Sequence, residues 1–130
     1  MTQIPAAYRD LLERPIVVTI ATVMADGQPQ AHPIWADIVD EKIRINTVVG
    51  RAKYNNMKER PKVTILAVDT EDPYRWMEIR GEVTGESLED GDAGIDKLSR
   101  DYVGTDYTDH RPENTRVNLY IQPTRVVTSG

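Results

Sequence analysis

Arg51 and Lys53, separated by one alanine and preceded by Gly50, are the two side chains whose types and spacing best suit chemistry. They stand where an alternating segment, Lys42 to Val49, gives way to a helical one that runs from about Arg51 to Glu59 and stops before Pro61. Cations in the first turn of a helix oppose the macrodipole, which favours anions at that end. Two readings are open. The basic first turn points into water, or an anion such as a phosphate sits there and removes the conflict, held by free backbone N–H groups and two cationic side chains.

Other chemistries are poorly supplied. The chain has no cysteine and only two histidines, His32 and His110, which excludes disulfides, thiolate chemistry and a His-rich metal site; no metal ligands are assigned. His32 stands beside a strand proline, and we read it as structural in preference to a proton donor. His110 lies in a polar loop without a signal, and Asp106 and Asp109 lack the apolar surroundings that raise a carboxyl pKa. The catalytic acid is therefore unassigned. A net charge of −5 argues against general affinity for nucleic acid or anionic membranes. No apolar run approaches the roughly 18 residues of a membrane span, and the Met1-Thr2-Gln3 start is unlike a signal peptide, so a cytoplasmic protein is expected.

The elements that must position these residues are mostly strands. A chain of 130 residues with 39% hydrophobic and 28% charged content is expected to form a single domain, residues 1–130, with a real core. Phenylalanine is absent, so that core rests on Val, Ile and Leu, a composition that leans towards sheet. Residues 5–14 read as a first helix carrying Tyr8, Leu11 and Leu12 on one side. Ile16 to Met24 reads as a strand buried on both faces, and Ala25-Asp26-Gly27 as a hairpin turn. The return strand, Pro29 to Val39, is expected to be irregular at Pro33. Asp40-Glu41 turns into the strand Lys42 to Val49, with Ile43, Ile45, Thr47 and Val49 on one face. Further strands are expected at Lys62 to Asp69, Tyr74 to Gly85 and Arg116 to Val127, the last broken at Pro123. The segment Ser87 to Tyr102 reads as acidic and then helical, with Ile95, Leu98 and Tyr102 at helical spacing, and Gly104 to Glu113 is a polar loop. Six strands and three short helices, joined mostly by hairpins, predict a mainly β fold: an antiparallel barrel with helices at its rim.

The order of these pieces resembles the split β-barrel flavin and deazaflavin oxidoreductases related to pyridoxamine 5′-phosphate oxidase, most closely the branch that uses the deazaflavin coenzyme F420. The resemblance covers roughly residues 8–127. It rests on the Asp26-Gly27-Gln28-Pro29 turn, Pro33-Ile34-Trp35, Gly50-Arg51-Ala52-Lys53-Tyr54-Asn55-Asn56, Arg60-Pro61-Lys62-Val63, Tyr74 to Gly81 and the closing strand. It implies a six-stranded antiparallel split barrel in which Arg51 and Lys53 bind the cofactor's phosphate. The strand Ile45-Asn46-Thr47 would lie along the cofactor, with Thr47 as a hydroxyl donor, and Pro33-Ile34-Trp35 would back the ring. Asn56 would support the phosphate loop or be merely a surface residue. Homodimers are implied, with the partner chain supplying Tyr74 and Trp76 to a site across the interface.

For the remaining candidates packing is the simpler reading. Trp35 is expected in a core or interface, Trp76 on a ring or a dimer seam, and Glu78 with Arg80 in a cross-strand ion pair; Arg75 is a possible anion contact. The absence of a GxGxxG motif argues against a Rossmann nicotinamide site. The resemblance thus implies an F420H2-dependent reductase acting on a small conjugated or hydrophobic substrate, the cofactor carrying the hydride chemistry. The alternatives are an FMN-dependent oxidoreductase of the pyridoxamine 5′-phosphate oxidase type and a flavin- or haem-binding module without turnover.

Overall fold

Strict alternation of apolar and polar residues builds a sheet with one face turned inwards, and here that face curls around the core. The computed structural model describes residues 2–130, and among them seven strands form one antiparallel sheet. They are β1 (Val18–Val23), β2 (Pro29–Ile34), β3 (Asp37–Val39), β4 (Lys42–Val48), β5 (Lys62–Val68), β6 (Trp76–Ser87) and β7 (Arg116–Ser129), in the spatial order β2-β1-β5-β6-β7-β4-β3. The helices are α1 (Asp10–Glu13), α2 (Ala52–Glu59) and α3 (Gly91–Val103), with a 3₁₀ turn at Ala6–Tyr8. This is the split-barrel fold, with one strand more than expected.

The extra strand comes from the segment Pro29 to Val39. It breaks at Trp35-Ala36, not at Pro33. Pro33 stays in β2 opposite Thr19, which an edge strand tolerates because a missing N–H there costs no ladder bond. β2 and β3 are the two edges of the sheet yet only two residues apart in the chain. The edges therefore meet at Trp35-Ala36, and the barrel stays split along that seam. The Tyr102 hydroxyl spans it, accepting from the Ala36 N–H at 3.2 Å and donating to the Ile16 carbonyl at 2.8 Å.

Inside the curl lie Ile20, Ile43, Ile45, Ile65, Met77, Ile79, Leu119 and Ile121, with Leu11 and Leu12 of α1 and Met57 of α2 closing the ends. β1 is buried on one face only, contrary to the expectation from its apolar run: Val18, Ile20 and Thr22 point in, while Val17 and Thr19 are exposed. The first helix is shorter than expected, a 3₁₀ turn and one turn of α1. Val49 leaves the β4 face it was assigned to and is exposed, because the strand ends at Val48. α3 begins at Gly91, after the acidic stretch, and buries Ile95 and Leu98 as the helical spacing predicts. β7 runs through Pro123 to Ser129, the proline being accommodated opposite Gly81 at a shift in the β6–β7 register.

Contacts with β4 and β7 fix the place of α3. A Cβ on Gly91 would lie 2.0 Å from the Arg116 carbonyl oxygen, so only glycine permits this approach. Asn46 donates to the Gly91 carbonyl at 2.8 Å and Asn118 to the Asp90 carbonyl at 2.9 Å. Lys97 of α3 and Arg44 of β4 share Asp37 at the start of β3, at 3.0 and 2.5 Å. Among the described residues no helix is long and apolar enough to cross a membrane.

Candidate functional site

Gly50 lets β4 turn into α2. Its φ of +96° is a conformation that glycine adopts freely, and Arg51 behind it caps the helix with extended backbone. Arg51 therefore leaves the turn exposed, and Lys53, two residues on, is half-buried. Both face a cleft of about 330 Å³ beside the barrel seam. Its walls are Val17, Pro33, Ile34 and Trp35 along the seam, Asn46 of β4, Ile95 and Leu98 of α3, Tyr107 of the following loop, and Arg116 at the start of β7.

The cleft holds three cations and no carboxylate. Among the described residues, neither Arg51 nor Lys53 is in an ion pair, although the chain as a whole carries more acids than bases. Burial pushes the Lys53 ammonium below its ordinary pKa, and the nearby charges of Arg51 and then Arg116 push it further. Arg116 is only 6% exposed. Its Nη2 donates to the Tyr107 hydroxyl at 3.0 Å and its Nη1 makes a long contact of 3.4 Å with Asn46 Oδ1, while its Nε is buried without a partner. A buried guanidinium with neutral partners and a spare N–H is a costly arrangement unless an anion completes it.

Aromatic packing shapes the rest. Trp35 stacks on Tyr102 with ring centroids 5.4 Å apart and meets Tyr107 edge-on at 6.3 Å. Arg116 lies over the Tyr107 ring at 4.7 Å from its centroid. The cleft thus combines three cations with an apolar and aromatic lining, a combination suited to a ring system carrying a phosphate.

The sequence-predicted residues divide accordingly. Arg51, Lys53, Asn46, Pro33 and Ile34 come together in the cleft. Asn46 spends its amide on Gly91 and on Asn118 at 2.8 Å, so its part is to hold α3 and aim Arg116. Thr47 does not line the cleft. It points the opposite way from Asn46, into the core, where its hydroxyl is buried without a partner. Asn56 is neither on the surface nor in the cleft: it is buried on the far side of α2, donating to Thr22 at 3.1 Å and Gln30 at 3.3 Å. Tyr74 precedes β6 in a loop, 79% exposed, and Trp76 opens β6 on the sheet's outer face, beside Leu66 and Val68; neither lines this chain's cleft.

Arg75 is not an anion contact, because Asp10 and Asp69 already hold it at 2.6 and 2.9 Å. Glu78 and Arg80 do pair, at 3.2 Å, but along one strand and not across two. Trp35, expected either to back the ring or to pack in a core or interface, lines the cleft, and Arg116 and Tyr107 are polar lining residues that the sequence did not assign to binding. The one signal for Arg116 is a charged residue at the start of a strand in which the apolar Val117, Leu119 and Ile121 take alternate positions.

A family model for pyridoxamine 5′-phosphate oxidase matches residues 4–129. A solved F420 reductase is 33% identical over 95% of this chain and 98% of its own, with a TM-score of 0.87. A pyridoxamine 5′-phosphate oxidase-related, FMN-binding protein from Nostoc punctiforme shares the fold at 16% identity, 97% and 83% coverage and a TM-score of 0.66. The haem storage protein HutZ from Vibrio cholerae shares it at 12% identity, 99% and 96% coverage and a TM-score of 0.70. No curated protein sequence matches the chain significantly.

Proposed function

The chain belongs to the pyridoxamine 5′-phosphate oxidase family, and from that premise we propose that it is an F420H2-dependent reductase whose cleft holds the deazaflavin by its phosphate. The observation that carries this reading is the convergence of Arg51, Lys53 and Arg116 on one cleft without a carboxylate, Arg116 having a buried Nε–H unused. Those three residues would bind the phosphate, and the Trp35 side of the cleft would receive the ring. When bound, the reduced deazaflavin supplies a hydride to a small conjugated or hydrophobic substrate.

The chain's own contribution is binding, orientation and exclusion of water. Asn46 holds Arg116 and α3 together, and Ile34, Ile95 and Leu98 give the ring an apolar wall. In the same reading two copies pair, so that the exposed Tyr74 and the outward-facing Trp76 of one protomer meet the cleft of its partner. Sedimentation of the purified protein as a monomer would exclude that part.

The test is spectroscopic. Protein produced in a host without F420 is titrated with F420, FMN and haem separately, following fluorescence quenching for the first two and absorbance for the third. Saturable F420 binding is expected. Tight FMN binding without F420 binding would make the protein an FMN-dependent oxidoreductase, and haem binding alone would make it a module without turnover.

A further inference from the structure

The loop 104–115, between α3 and β7, has no regular secondary structure, yet Asp106, Tyr107 and His110 tie it to α3. The Tyr107 N–H donates to Asp96 Oδ1 of α3 at 3.0 Å, and the Tyr107 ring packs against Arg116 and Trp35 in the cleft wall. His110 closes the same loop onto the same helix. Its Nε2 is 2.8 Å from Asp96 Oδ1 and its Nδ1 is 3.4 Å from Asp92 Oδ1, so both ring nitrogens face carboxylates. A neutral imidazole has one N–H and can serve only one of them; the imidazolium serves both.

We propose that His110 and Asp96 are positioning residues: a protonation-dependent latch that docks the loop on α3 and thereby sets Tyr107 and Arg116 at the mouth of the cleft. The identity of the ligand rests on the function proposed above; the latch itself does not. The chain of contacts is continuous, from His110 to Asp96, from Asp96 to the Tyr107 backbone, and from the Tyr107 hydroxyl to Arg116. Without the latch, Arg116 would keep only its long contact to Asn46.

The groups around His110 fix the sign. Asp96 and Asp92 face it from α3; Arg100, further along that helix, is engaged by Asp106 of the loop at 2.6 Å. Within the loop, Asp109 is held by Arg111 at 2.7 Å, and Arg116 of β7 lies behind the Tyr107 ring. The hydrogen bond to Asp96 raises the His110 pKa above the ordinary imidazole value, partly opposed by burial and aided by the Asp96 charge and by Asp92. Docking therefore stabilises the protonated form. It is fully favoured at pH below the undocked value and is lost as pH rises through the docked one.

The experiment follows Tyr107 amide hydrogen exchange and the His110 ring resonances by NMR in the ligand-free protein, from mildly acidic to mildly alkaline pH. Wild type is compared with His110→Ala, an exposed change that leaves the core intact, and with Asp96→Asn, which keeps an acceptor for the Tyr107 N–H but removes the charge. Tyr107 protection should fall in wild type as His110 deprotonates, relative to the core amide of Ile45, and should be low and flat in His110→Ala. The His110 titration should move down in Asp96→Asn. At acidic pH the Kd for F420 should rise about threefold to fivefold in His110→Ala, the size expected of one exposed charged pair, and the difference should vanish at alkaline pH. Tyr107 protection that ignores both pH and the His110 substitution overturns the latch, as does an F420 affinity equal to wild type at acidic pH. Should F420 not bind wild type at all, the cofactor reading fails and the ligand-free exchange alone decides the latch, a His110-dependent loss of protection supporting it.

Discussion

Replacing Arg116 with methionine tests whether the cleft is built for an anion at the expense of the ligand-free protein. Methionine keeps much of the volume and removes the charge. Among the described residues the polar partners of Arg116 are the Tyr107 hydroxyl at 3.0 Å and Asn46 Oδ1 at 3.4 Å, both neutral. Exchanging buried ionic groups for apolar residues of similar size is often neutral or stabilising, by up to about 4 kcal/mol. Against that stand the hydrogen bond to Tyr107, about 1 kcal/mol, and the stacking on its ring, about 0.5–1 kcal/mol. Ligand-free Arg116→Met should thus lie between about 2 kcal/mol less and about 2.5 kcal/mol more stable than wild type, far from the cost of removing a structural buried Arg. Its urea midpoint should not fall markedly, and the slope should be unchanged. F420 affinity should move the other way. Losing one charged hydrogen bond of about 1.5–3 kcal/mol raises Kd roughly 10- to 150-fold. A variant that is markedly less stable yet binds F420 as wild type does would refute the reasoning, because Arg116 would then be a structural residue.

Lys53 gives a pH dependence of defined sign. Its pKa is depressed by burial and then by Arg51 and Arg116, and a bound anion offsets the cationic part, so binding takes up a proton. F420 affinity should fall as pH rises through the ligand-free Lys53 value, and Lys53→Gln should abolish that limb in titrations run across pH. For folding the same depression means that the unfolded chain binds more protons, so this group's contribution to stability rises with pH up to the ordinary lysine value, and pH-dependent urea melts should lose that slope in Lys53→Gln. Gly91→Ala places a Cβ against the Arg116 carbonyl and should destabilise by about 1–3 kcal/mol while weakening F420 binding, read by calorimetry and titration together. Arg75→Ala should flatten acid unfolding. Asp10 is held below the usual carboxylate range first by Arg75, and Asp69 first by the Glu71 N–H and then by Arg75. Their contribution is present above the ordinary carboxylate pKa and is lost as pH falls through the depressed values, which circular dichroism against pH will follow.

The turn at Gly50-Arg51-Ala52-Lys53 was legible because every cue to it is local: alternation before it, a glycine at it, and a proline closing the helix after it. The register of the sheet is not local. Arg116 reaches the cleft because β7 pairs with β4, setting Arg116 opposite Val48, sixty-eight positions away in sequence. Nothing near Arg116 announces that. The exchange of Thr47 for Asn46 has a similar cause. A strand offers alternate residues to its two faces, but which face meets the cleft depends on where α3 lies, and that is decided by the fit of Gly91 against β7. Asn56 was misjudged because the helix face carrying it packs on β1 and β2 through Thr22 and Gln30, a contact made only once the barrel has curled. Pro33 was taken for a strand breaker because its position on the sheet's edge follows from strand order and not from its neighbours in sequence.

In the function proposed above, Arg51, Lys53 and Arg116 form the seat of a phosphate. The most direct measurement is ³¹P NMR of F420 in the presence of the protein, made on wild type and on the Arg51→Ala/Lys53→Ala double variant. The account predicts that the phosphodiester resonance shifts and broadens on binding wild type and stays at its free position with the double variant at the same concentrations. A resonance that responds equally to both proteins, or to neither while the ring's fluorescence is quenched by wild type, would contradict it.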